Sequence, residues 1–460
     1  MEIKNNKPGM RENPYNDLSQ WEMPIYYCES IRDAVDGGFP SDGIYRISLD
    51  RGCVLDVLVQ NMASVVTSGS VLIGLNGAVT QREKKKGPFF SGTSITKGMG
   101  TPSISISDPS LDIDGKVGLA WYAGNEMVPD LPLRIAEIIN GFADRYSVRP
   151  ILFGGSGAGF AALNISTYLS VSHTALVWNP QTRIVKYFAR FVEKYLKSAF
   201  PRLWSKMYTR AAFLRSDPEP FLKSVLDRSG VSHSLEGKRA NQLAQVLYLQ
   251  NRDDWHVVIH ADPYLRQFGS WRRIGSSSFI AENIPFGVVF GNWGKGHVAP
   301  PREVIYQLLE FCTANSELFS DERSNIFSLF AKDSYYQWDL CDFDRNSSAV
   351  RETADEVEAG RKSHTHEGTL ELNVVYSDST STVLAELNTY SDSVAEKEGT
   401  YAFYLLQNGT RVQTRWYERK PYVTFEVKNI VNAGGELEVV AFSKSKSGVV
   451  KRVRRMVSIG

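Results

Sequence analysis

The chain has 460 residues, more than one ordinary domain needs, and its 42% hydrophobic and 22% charged residues are typical of a soluble globular protein. Its 52 basic and 51 acidic side chains nearly cancel, which argues against a global attraction to nucleic acid or to an acidic membrane. We therefore expect two domains and no nucleic-acid partner, with any charged partner recognised through a local patch.

The amino-terminal segment MEIKNNKPGMRENPYNDLSQ lacks the apolar stretch of a secretory signal, and no long apolar run that would span a membrane occurs elsewhere. This predicts a cytoplasmic location, with peripheral contact at the inner face of the membrane as the alternative. The four cysteines form no CxxC pair, which argues against a zinc site or a disulfide framework: Cys28, Cys53, Cys312 and Cys341. We expect buried free thiols, no metal and no cofactor.

Residues 1–70 contain two strand-like runs, IYRISLD and CVLDVLV, and we expect a β-rich extension of the sheet that follows. In 71–315, short apolar runs alternate with helix-like segments, the pattern of a parallel sheet with helices on both faces. The runs are unbroken, as in strands buried on both faces: VLIGLN, VGLAWY (117–122), PILFGG, TALVWN, QVLYLQ and FGVVFG. Helical spacing at 131–147 and 303–312 favours an α/β fold over an all-β fold.

The segment 180–240 lies between two predicted strands and is too long for a simple crossover helix, so it predicts a helical cap over the site. Its first part interleaves aromatic residues with eight basic side chains, offset by Glu193 alone: Arg183, Lys186, Arg190, Lys194, Lys197, Arg202, Lys206 and Arg210. Such a cap suits a polyanionic glycan or an anionic membrane surface. An amphipathic helix with a solvated basic face is the alternative.

Beyond residue 315 the character of the sequence changes. Residues 316–367 are mostly polar with little apolar periodicity, and we interpret them as a linker or a surface excursion. In 368–460, β-type runs recur at regular intervals with turn residues between them, such as Gln407-Asn408-Gly409, and predict a β-sandwich domain. The basic run KRVRRM suits either an anionic partner or a solvated basic face, and its alternation favours an ordinary exposed strand.

The run ILFGGSGAGFAAL places four glycines between a predicted strand and a predicted helix. A Walker loop would end in Gly-Lys-Ser/Thr, and a dinucleotide fingerprint would need glycine at Phe160, so neither nucleotide site fits. The remaining functional interpretation is a nucleophile elbow centred on Ser156. Gly154 and Ala158 flank it as G-x-S-x-A, a departure from the usual G-x-S-x-G. A turn that serves only packing is the alternative.

A serine nucleophile needs a base and a carboxylate that orients the base, and in this type of site they follow the serine in the order acid, then histidine. His297 lies in GNWGKGHVAPP after the last apolar run; a loop histidine that caps the next helix is the alternative. Asp253 and Asp254 follow QVLYLQ. We prefer Asp254 as the acid, with Asp253 as the alternative acid and a possible helix N-cap.

The oxyanion of such a reaction needs N–H donors. We expect them from the backbone of Gly157 and from Gly77 and Ala78, in the loop after VLIGLN, with glycine letting that backbone turn inward. Asn76 in the same loop is a candidate substrate contact. A tight turn without function is the alternative.

His256 and His260 are spaced i, i+4, as in a metal site. No glutamate of an HExxH motif lies between them and no third ligand is evident, so the spacing alone does not support a metal. We instead expect His256 to contact substrate.

From Val71 to Pro301 the chain resembles the α/β-hydrolase superfamily, on the strength of GGSGAG, the Asp253-Asp254 loop and GHVAPP in that order. Within it, LNGAV, SDPSL followed by LAWYAG, FGGSGAGFAAL and VWNPQT are similar to bacterial glycan-associated members, such as accessory-secretion proteins thought to acetylate sugars and capsule-cluster proteins. YAFYLLQNG, WYER and LEVVAFSKSKSG are similar to sandwich modules of cell-surface-polysaccharide proteins.

The resemblance implies a mostly parallel α/β-hydrolase-like sheet with a helical cap insertion, followed by an all-β sandwich of the immunoglobulin or fibronectin kind. It also implies serine-dependent acyl transfer to water or to a sugar hydroxyl, as an esterase or an O-acetyltransferase. The partners would be a carbohydrate or glycoconjugate and, for transfer, an acyl donor. A hydrolase-fold protein that has lost catalysis and serves as a glycan-binding or assembly factor is the alternative.

Overall fold

The computed structural model describes residues 13–208, 218–238, 241–319 and 326–330, and six carboxy-terminal stretches: 369–377, 382–390, 400–418, 422–427, 436–444 and 450–457. The chain divides into two compact units, Met1–Leu340 and Cys341–Gly460. Of the predicted linker or surface excursion at 316–367, only 316–319 and 326–330 are among the described residues.

The first unit contains an eleven-stranded sheet. Its strands are β1 (Ile25–Cys28), β2 (Gly43–Ser48), β3 (Val54–Gln60), β4 (Ser70–Leu75), β5 (Ser103–Ile106), β6 (Arg149–Gly155), β7 (His173–Trp178), β8 (Ala244–Asn251), β9 (Trp271–Arg273), β10 (Ser278–Ala281) and β11 (Phe286–Gly291). They are arranged in the order β1-β2-β3-β5-β4-β6-β7-β8-β11-β10-β9. The six strands from β5 to β11 in this order run parallel, which confirms the predicted α/β class.

The strand order reverses at β4, which lies between β5 and β6. In an open parallel sheet, a crevice forms outside the carboxyl ends of the strands where the order reverses, and ligands bind there. The loops after β4 and β6 carry Asn76-Gly77 and Ser156. The topology therefore brings the predicted nucleophile and the predicted oxyanion loop to one edge of the sheet.

One predicted strand is wrong. Val117–Tyr122 form a buried loop instead, in which Trp121 and Tyr122 have φ of 56° and 52°. The sheet position is taken by β5, whose sequence SISI hides its strand character because its serines are buried and polar; Ser105 Oγ donates to Ser91 O at 3.2 Å. An apolar run indicates that its side chains are buried, but it does not by itself indicate whether the backbone forms a strand or a loop.

The helices of the first unit flank the sheet. They are α1 (Ile31–Gly37), α2 (Val65–Ser68), α3 (Thr93–Thr96), α4 (Leu131–Tyr146), α5 (Gly157–Ser166), α6 (Ala189–Ala199), α7 (Pro201–Met207), α8 (Glu219–Ser229), α9 (Asp262–Leu265) and α10 (Arg302–Ala314). The predicted helices at 131–147 and 303–312 correspond to α4 and α10. In the described part of the chain, no helix is both long and apolar enough to cross a membrane.

Helices cover both faces of β6, which accounts for its unbroken apolar sequence. Ile151 and Phe153 share a buried cluster with Leu308 of α10. Gly154 points to the opposite face, since successive strand residues alternate, and a Cβ placed on it would lie 2.6 Å from the Cβ of Ala158 on α5. The strand is thus buried between α5 and α10.

The segment between β7 and β8 contains α6, α7 and α8, and several of its basic side chains are paired with acids. Lys186 forms an ion pair with Glu219, and Arg183 with Glu236 at 3.1 Å. Arg210 lies outside the described residues. Because Glu219 and Glu236 come from later in the chain, the segment is less positive than its first part suggests.

The described residues of the second unit form two antiparallel sheets. Their strands are β12 (Thr369–Ser377), β13 (Thr382–Tyr390), β14 (Thr400–Gln407), β15 (Thr410–Glu418), β16 (Tyr422–Glu426), β17 (Leu437–Lys444) and β18 (Val450–Met456). The sheets have the orders β12-β13-β16 and β15-β14-β17-β18. Side chains of both, such as Phe425 and Phe403, share one buried cluster, so the sheets pack face to face. Asn408 and Gly409 turn the β14–β15 hairpin with positive φ.

The cysteines within the described residues, Cys28, Cys53 and Cys312, are free and buried, as predicted. Burial raises the pKa of Cys28 to about 12, that of Cys53 to about 11 and that of Cys312 to about 12. These thiols are therefore protonated and unreactive at neutral pH. Cys341 lies outside the described residues.

Two carboxyl groups meet at a buried position beside β3. Asp56 accepts from Arg46 at 2.8 Å, and Asn16 Nδ2 donates to Asp56 Oδ2 at 3.0 Å and to Asp112 Oδ2 at 2.8 Å. Asp112 Oδ1 is buried and has no hydrogen-bond partner among the described residues. Burial, with the nearby charge of Asp56, raises the pKa of Asp112 to about 7.

We expect Asp112→Asn to raise the melting temperature at pH 8 and to leave it almost unchanged near pH 4. A carboxyl whose pKa is higher in the folded state lowers stability above its unfolded pKa, and this cost grows until the pH passes the folded pKa. The difference from wild type should therefore open between about pH 4 and pH 7.

Thermal unfolding across this pH range measures the difference. Asp144→Asn, at an exposed position on α4, removes the same formal charge and is the control. A gap between Asp112→Asn and wild type that does not vary with pH would contradict the assignment.

Candidate active site

Ser156 occupies the sharp turn between β6 and α5. Its backbone has φ 57° and ψ −120°, a conformation that residues with a side chain rarely adopt and that clusters at functional sites. The turn is held on both sides, because the Ser156 N–H donates to Trp178 O at 3.0 Å and the Ser156 carbonyl accepts from Phe160 N at 3.2 Å. The chain thus presents this side chain at the carboxyl end of the sheet.

The glycines around Ser156 are required by close packing. A Cβ at Gly155 would lie 2.0 Å from Trp178 Nε1, and one at Gly157 would lie 2.5 Å from Leu119 Cδ1. Gly154 and Ala158 face each other, so the space usually shared by two glycines holds one methyl group here. This contact explains how G-x-S-x-A supports the turn.

Asp254 and His297 follow β8 and β11 and meet at the same edge of the sheet. His297 Nδ1 donates to Asp254 Oδ2 at 2.5 Å, and the Asp254 side chain is fully buried whereas that of His297 is 12% exposed. Asp253 is exposed, and its carbonyl accepts from Gly296 N at 3.2 Å. Of the two candidate acids, Asp254 is therefore the one that orients His297.

His256 is a second histidine on the same carboxylate. Its Nδ1 donates to Asp254 Oδ1 at 2.9 Å, its backbone N–H donates to the same atom at 3.0 Å, and its ring centroid lies 4.0 Å from that of His297. Burial by itself raises the pKa of Asp254, but His256 and His297 outweigh it and hold the pKa well below its usual range. Asp254 is therefore ionised.

The donor atoms of Asp254, His256 and His297 lie within 4.8 Å of one another, close enough to be considered as a metal site. Both histidines instead donate Nδ1–H directly to the carboxylate, so the same atoms are already used in hydrogen bonds. His256 has no exposed surface, which favours a role in holding Asp254 over the predicted contact with substrate.

His260 continues the stack of imidazole rings. Its centroid lies 4.8 Å from that of His256, and its Nδ1 accepts from Thr182 N at 3.2 Å. Burial, with the neighbouring His256, lowers the pKa of His260 well below its usual value, so the ring is neutral. The i, i+4 spacing of His256 and His260 thus produces ring packing.

The predicted oxyanion loop lies against the elbow. A Cβ on Gly77 would lie 3.3 Å from Gly155 O. The N–H groups of Gly77, Ala78 and Gly157 have no acceptor among the described residues, and that of Gly157 opens α5, where N–H groups lack helical partners. These donors are available to an anion near Ser156.

Asn76 is buried and shapes this loop from behind. Its backbone N–H donates to Tyr122 Oη at 2.9 Å, and Tyr122 Oη–H donates to Asn76 Oδ1 at 2.5 Å. The side-chain carbonyl also accepts from Asp108 N at 3.4 Å. This placement favours a structural role over the predicted contact with substrate.

Asn179 connects the loops that carry the site, and the sequence did not identify it. Its Nδ2 donates to Val298 O at 2.7 Å, next to His297, and its Oδ1 accepts from Asn251 N at 2.7 Å. Asn251 Nδ2 in turn donates to Gly296 O at 2.6 Å. The available signal was the position of VWNPQT, directly after the strand next to the elbow.

Gln181 from the same run was also missed. Its Nε2 donates to Ser156 Oγ at 3.0 Å. Among the described residues no hydrogen bond joins Ser156 Oγ to His297.

Aromatic side chains cover one side of Asp254 and His297, the acid–base pair of the site. Trp255 stacks on His256 with centroids 4.2 Å apart, and Tyr187 and Phe188 lie 6.2 and 5.4 Å from Trp255. The guanidinium of Arg190 lies 5.3 Å from the Phe188 ring. Since these three aromatic rings are buried, they shield the pair from solvent on that side.

The strand order, the elbow at Ser156 and the chain order of Ser156, Asp254 and His297 are those of an α/β-hydrolase-type fold. No family model and no curated protein matches the chain.

Distant likenesses occur among solved structures. The capsule O-acetyltransferase of Neisseria meningitidis serogroup A aligns with a TM-score of 0.38 at 11% identity, over 58% of this chain and 97% of that one. S-formylglutathione hydrolase from Agrobacterium tumefaciens gives 0.34 at 14%, over 59% and 94%. Acetyl xylan esterase from Paenibacillus sp. R4 gives 0.34 at 14%, over 61% and 91%.

We expect Gly154→Ala to lower the melting temperature, because its new Cβ would lie 2.6 Å from that of Ala158. Overpacking of this kind costs about 1–3 kcal/mol. Thermal unfolding of Gly154→Ala, Ala158→Gly and the double variant measures it.

The double variant should recover part of the loss, since removing the Ala158 methyl frees the space, whereas contacts with the Ala158 backbone at 3.1 and 3.2 Å remain. Ala158→Gly alone should cost only about 0.5–1 kcal/mol. Equal melting temperatures for Gly154→Ala and wild type would show that α5 does not pack this closely.

Proposed function

We propose that the protein is a serine-dependent acyl-transfer enzyme. The observation that carries the proposal is the backbone of Ser156, held at φ 57° on a strand-to-helix turn, with a hydrogen-bonded Asp254–His297 pair at the same sheet edge. A turn that serves only packing would not require a buried, ionised aspartate that is hydrogen-bonded to a histidine of a neighbouring loop. Acyl transfer requires both the serine on its turn and the aspartate–histidine pair.

The first half of the reaction forms the acyl-enzyme. Ser156 Oγ attacks an ester carbonyl carbon while its proton passes to His297, and Asp254 stabilises the imidazolium. The carbonyl oxygen becomes the oxyanion and accepts from N–H groups of Gly157 and the Gly77 loop. When the tetrahedral intermediate collapses, the C–O bond to the alcohol breaks and His297 returns the proton to the leaving alkoxide.

The second half releases the acyl group. Water or a sugar hydroxyl gives its proton to His297 and attacks the acyl carbon, and the bond to Ser156 Oγ breaks as that oxygen takes the proton back. Esterase and O-acyltransferase differ only in the acceptor, since the residues act in the same way in both.

We propose a carbohydrate ester or glycoconjugate as the substrate. The support is the similarity of LNGAV and VWNPQT to glycan-associated sequences. Release of acetate from a panel of O-acetylated sugars, with simple aryl acetates for comparison, tests this substrate class.

A non-catalytic glycan-binding or assembly role is the second candidate. The observation that favours it is the partner of Ser156 Oγ, which is Gln181 and not His297. In that case the elbow would persist as an inherited turn, and Ser156→Ala would leave the biological role intact.

We expect a fluorophosphonate probe to label the wild type covalently and to leave Ser156→Ala and His297→Ala unlabelled. The first variant lacks the attacking oxygen and the second lacks the base that activates it. Gel fluorescence and intact mass measure labelling, with circular dichroism to confirm that each variant is folded.

Asp254→Asn should slow labelling strongly, because the imidazole loses the carboxylate that orients it, whereas the exposed Asp253→Asn is the matched control and should react as wild type does. A folded wild type that resists both this probe and a smaller serine-reactive reagent would favour the non-catalytic role.

We expect His256→Phe to slow labelling by about tenfold, because Asp254 loses a hydrogen bond to its charge, and by less than Asp254→Asn does. The phenyl ring can still stack on His297, but Asp254 loses the Nδ1–H donor on its second oxygen. The rate of labelling measures the effect, and Tyr264→Phe, which changes another buried ring, is the control. An unchanged rate would mean that the His297 contact alone holds Asp254.

A further inference from the structure

Gln181 makes two hydrogen bonds to Ser156 and has no exposed surface. Its backbone N–H donates to the Ser156 carbonyl at 3.1 Å, and its side-chain Nε2 donates to Ser156 Oγ at 3.0 Å. The first bond sets the position of the residue against the turn. The second is a direct contact with the atom that would attack substrate.

Trp121 decides which end of the Gln181 amide faces the serine. The indole Nε1–H donates to Gln181 Oε1, and an indole can only donate, so the amide nitrogen must point at Ser156 Oγ. Trp121 is 1% exposed, lies edge-on to Tyr187 and Tyr195, and has φ of 56°. The indole is therefore locked by packing and by a backbone conformation that is unfavourable for a residue with a side chain.

We propose that Gln181 is a catalytic residue that donates an N–H to Ser156 Oγ, and that Trp121 is its positioning residue. The proposal rests on the proposed serine chemistry. A hydroxyl that accepts from an amide keeps its own proton free, and that proton can then point to His297. As the proton leaves, negative charge grows on Oγ, and the amide N–H stabilises it at acylation and again when Oγ is expelled.

Thr182, the residue after Gln181, connects this segment to the histidines beside Asp254. The backbone N–H of Thr182 donates to His260 Nδ1 at 3.2 Å, and Thr182 Oγ1 donates to His260 O at 2.9 Å. His260 stacks on His256, which binds Asp254. The dipeptide Gln181-Thr182 thus connects the turn of the nucleophile to the segment that carries Asp254 and His256.

The test measures the fluorophosphonate reaction as a function of probe concentration, which separates the maximal inactivation rate, kinact, from the concentration for half-saturation, KI. Gln181→Met keeps the side-chain length and removes the donor. It should lower kinact by roughly tenfold to a hundredfold and leave KI within about twofold. Trp121→Phe keeps an aromatic ring but removes the indole N–H together with part of the buried ring system, and it should lower kinact by a smaller factor.

Two matched controls remove the same groups away from the site. Gln245→Met, at the start of β8, deletes an amide that bonds to Ser316 and Leu318, and Trp271→Phe deletes an indole N–H that donates to Leu265 O at 3.2 Å. They should keep the wild-type kinact whatever they do to the melting temperature. A structural role of Gln181 would instead lower the melting temperature and leave kinact of the folded fraction unchanged, which would overturn the proposal.

The double variant tests whether Trp121 acts through Gln181. If it does, Trp121→Phe should lower kinact in the wild-type background and have no further effect on Gln181→Met. Independent, multiplicative losses would overturn the positioning role. If the wild type reacts and Gln181→Met reacts equally fast, this inference falls and the proposed function stands; if the folded wild type does not react at all, both fall together.

Discussion

The site depends on the backbone of Ser156, which is held in a conformation that a residue with a side chain rarely adopts. Because this conformation costs free energy, the surroundings must impose it. They do so through the bond to Trp178 O on β7 and through the close approach of α5 to β6, where Gly154 and Ala158 leave space for one methyl group. Packing at van der Waals contact thus holds the serine at the edge of the sheet.

A buried polar network sets the geometry of the acid–base pair. Asp254 is stabilised as a charge because two histidines and a backbone N–H donate to it, and burial without such donors would have neutralised it. Asn179 and Asn251 then bond to the carbonyls on either side of His297. Because these amides have fixed partners, the loops that follow β7, β8 and β11 are connected to one another and to the elbow. The arrangement is prepared before any ligand binds.

The α/β class was predictable because buried parallel strands have unbroken apolar sequences, and β4, β6, β7, β8 and β11 all show them. The same rule failed at Val117–Tyr122, where the apolar residues line the elbow as a loop that contains positive φ at Trp121 and Tyr122. It also failed at β5, whose serines are buried; Ser105 Oγ donates to the backbone at Ser91 O. Periodicity reports which side chains avoid water and does not report how the backbone between them turns.

The sequence by itself determined the elbow at Ser156, the histidine that follows the last parallel strand and a pair of candidate acids, since each depends on residue types at short spacings. Only the tertiary structure decided which aspartate faces His297, that His256 shares its carboxylate, and that Gln181 reaches Ser156 Oγ. It also placed Glu219 and Glu236 against basic side chains of the insertion. The physical reason is that hydrogen bonds and ion pairs act over a few ångströms in space, and the residues they join are set by the packing of distant segments.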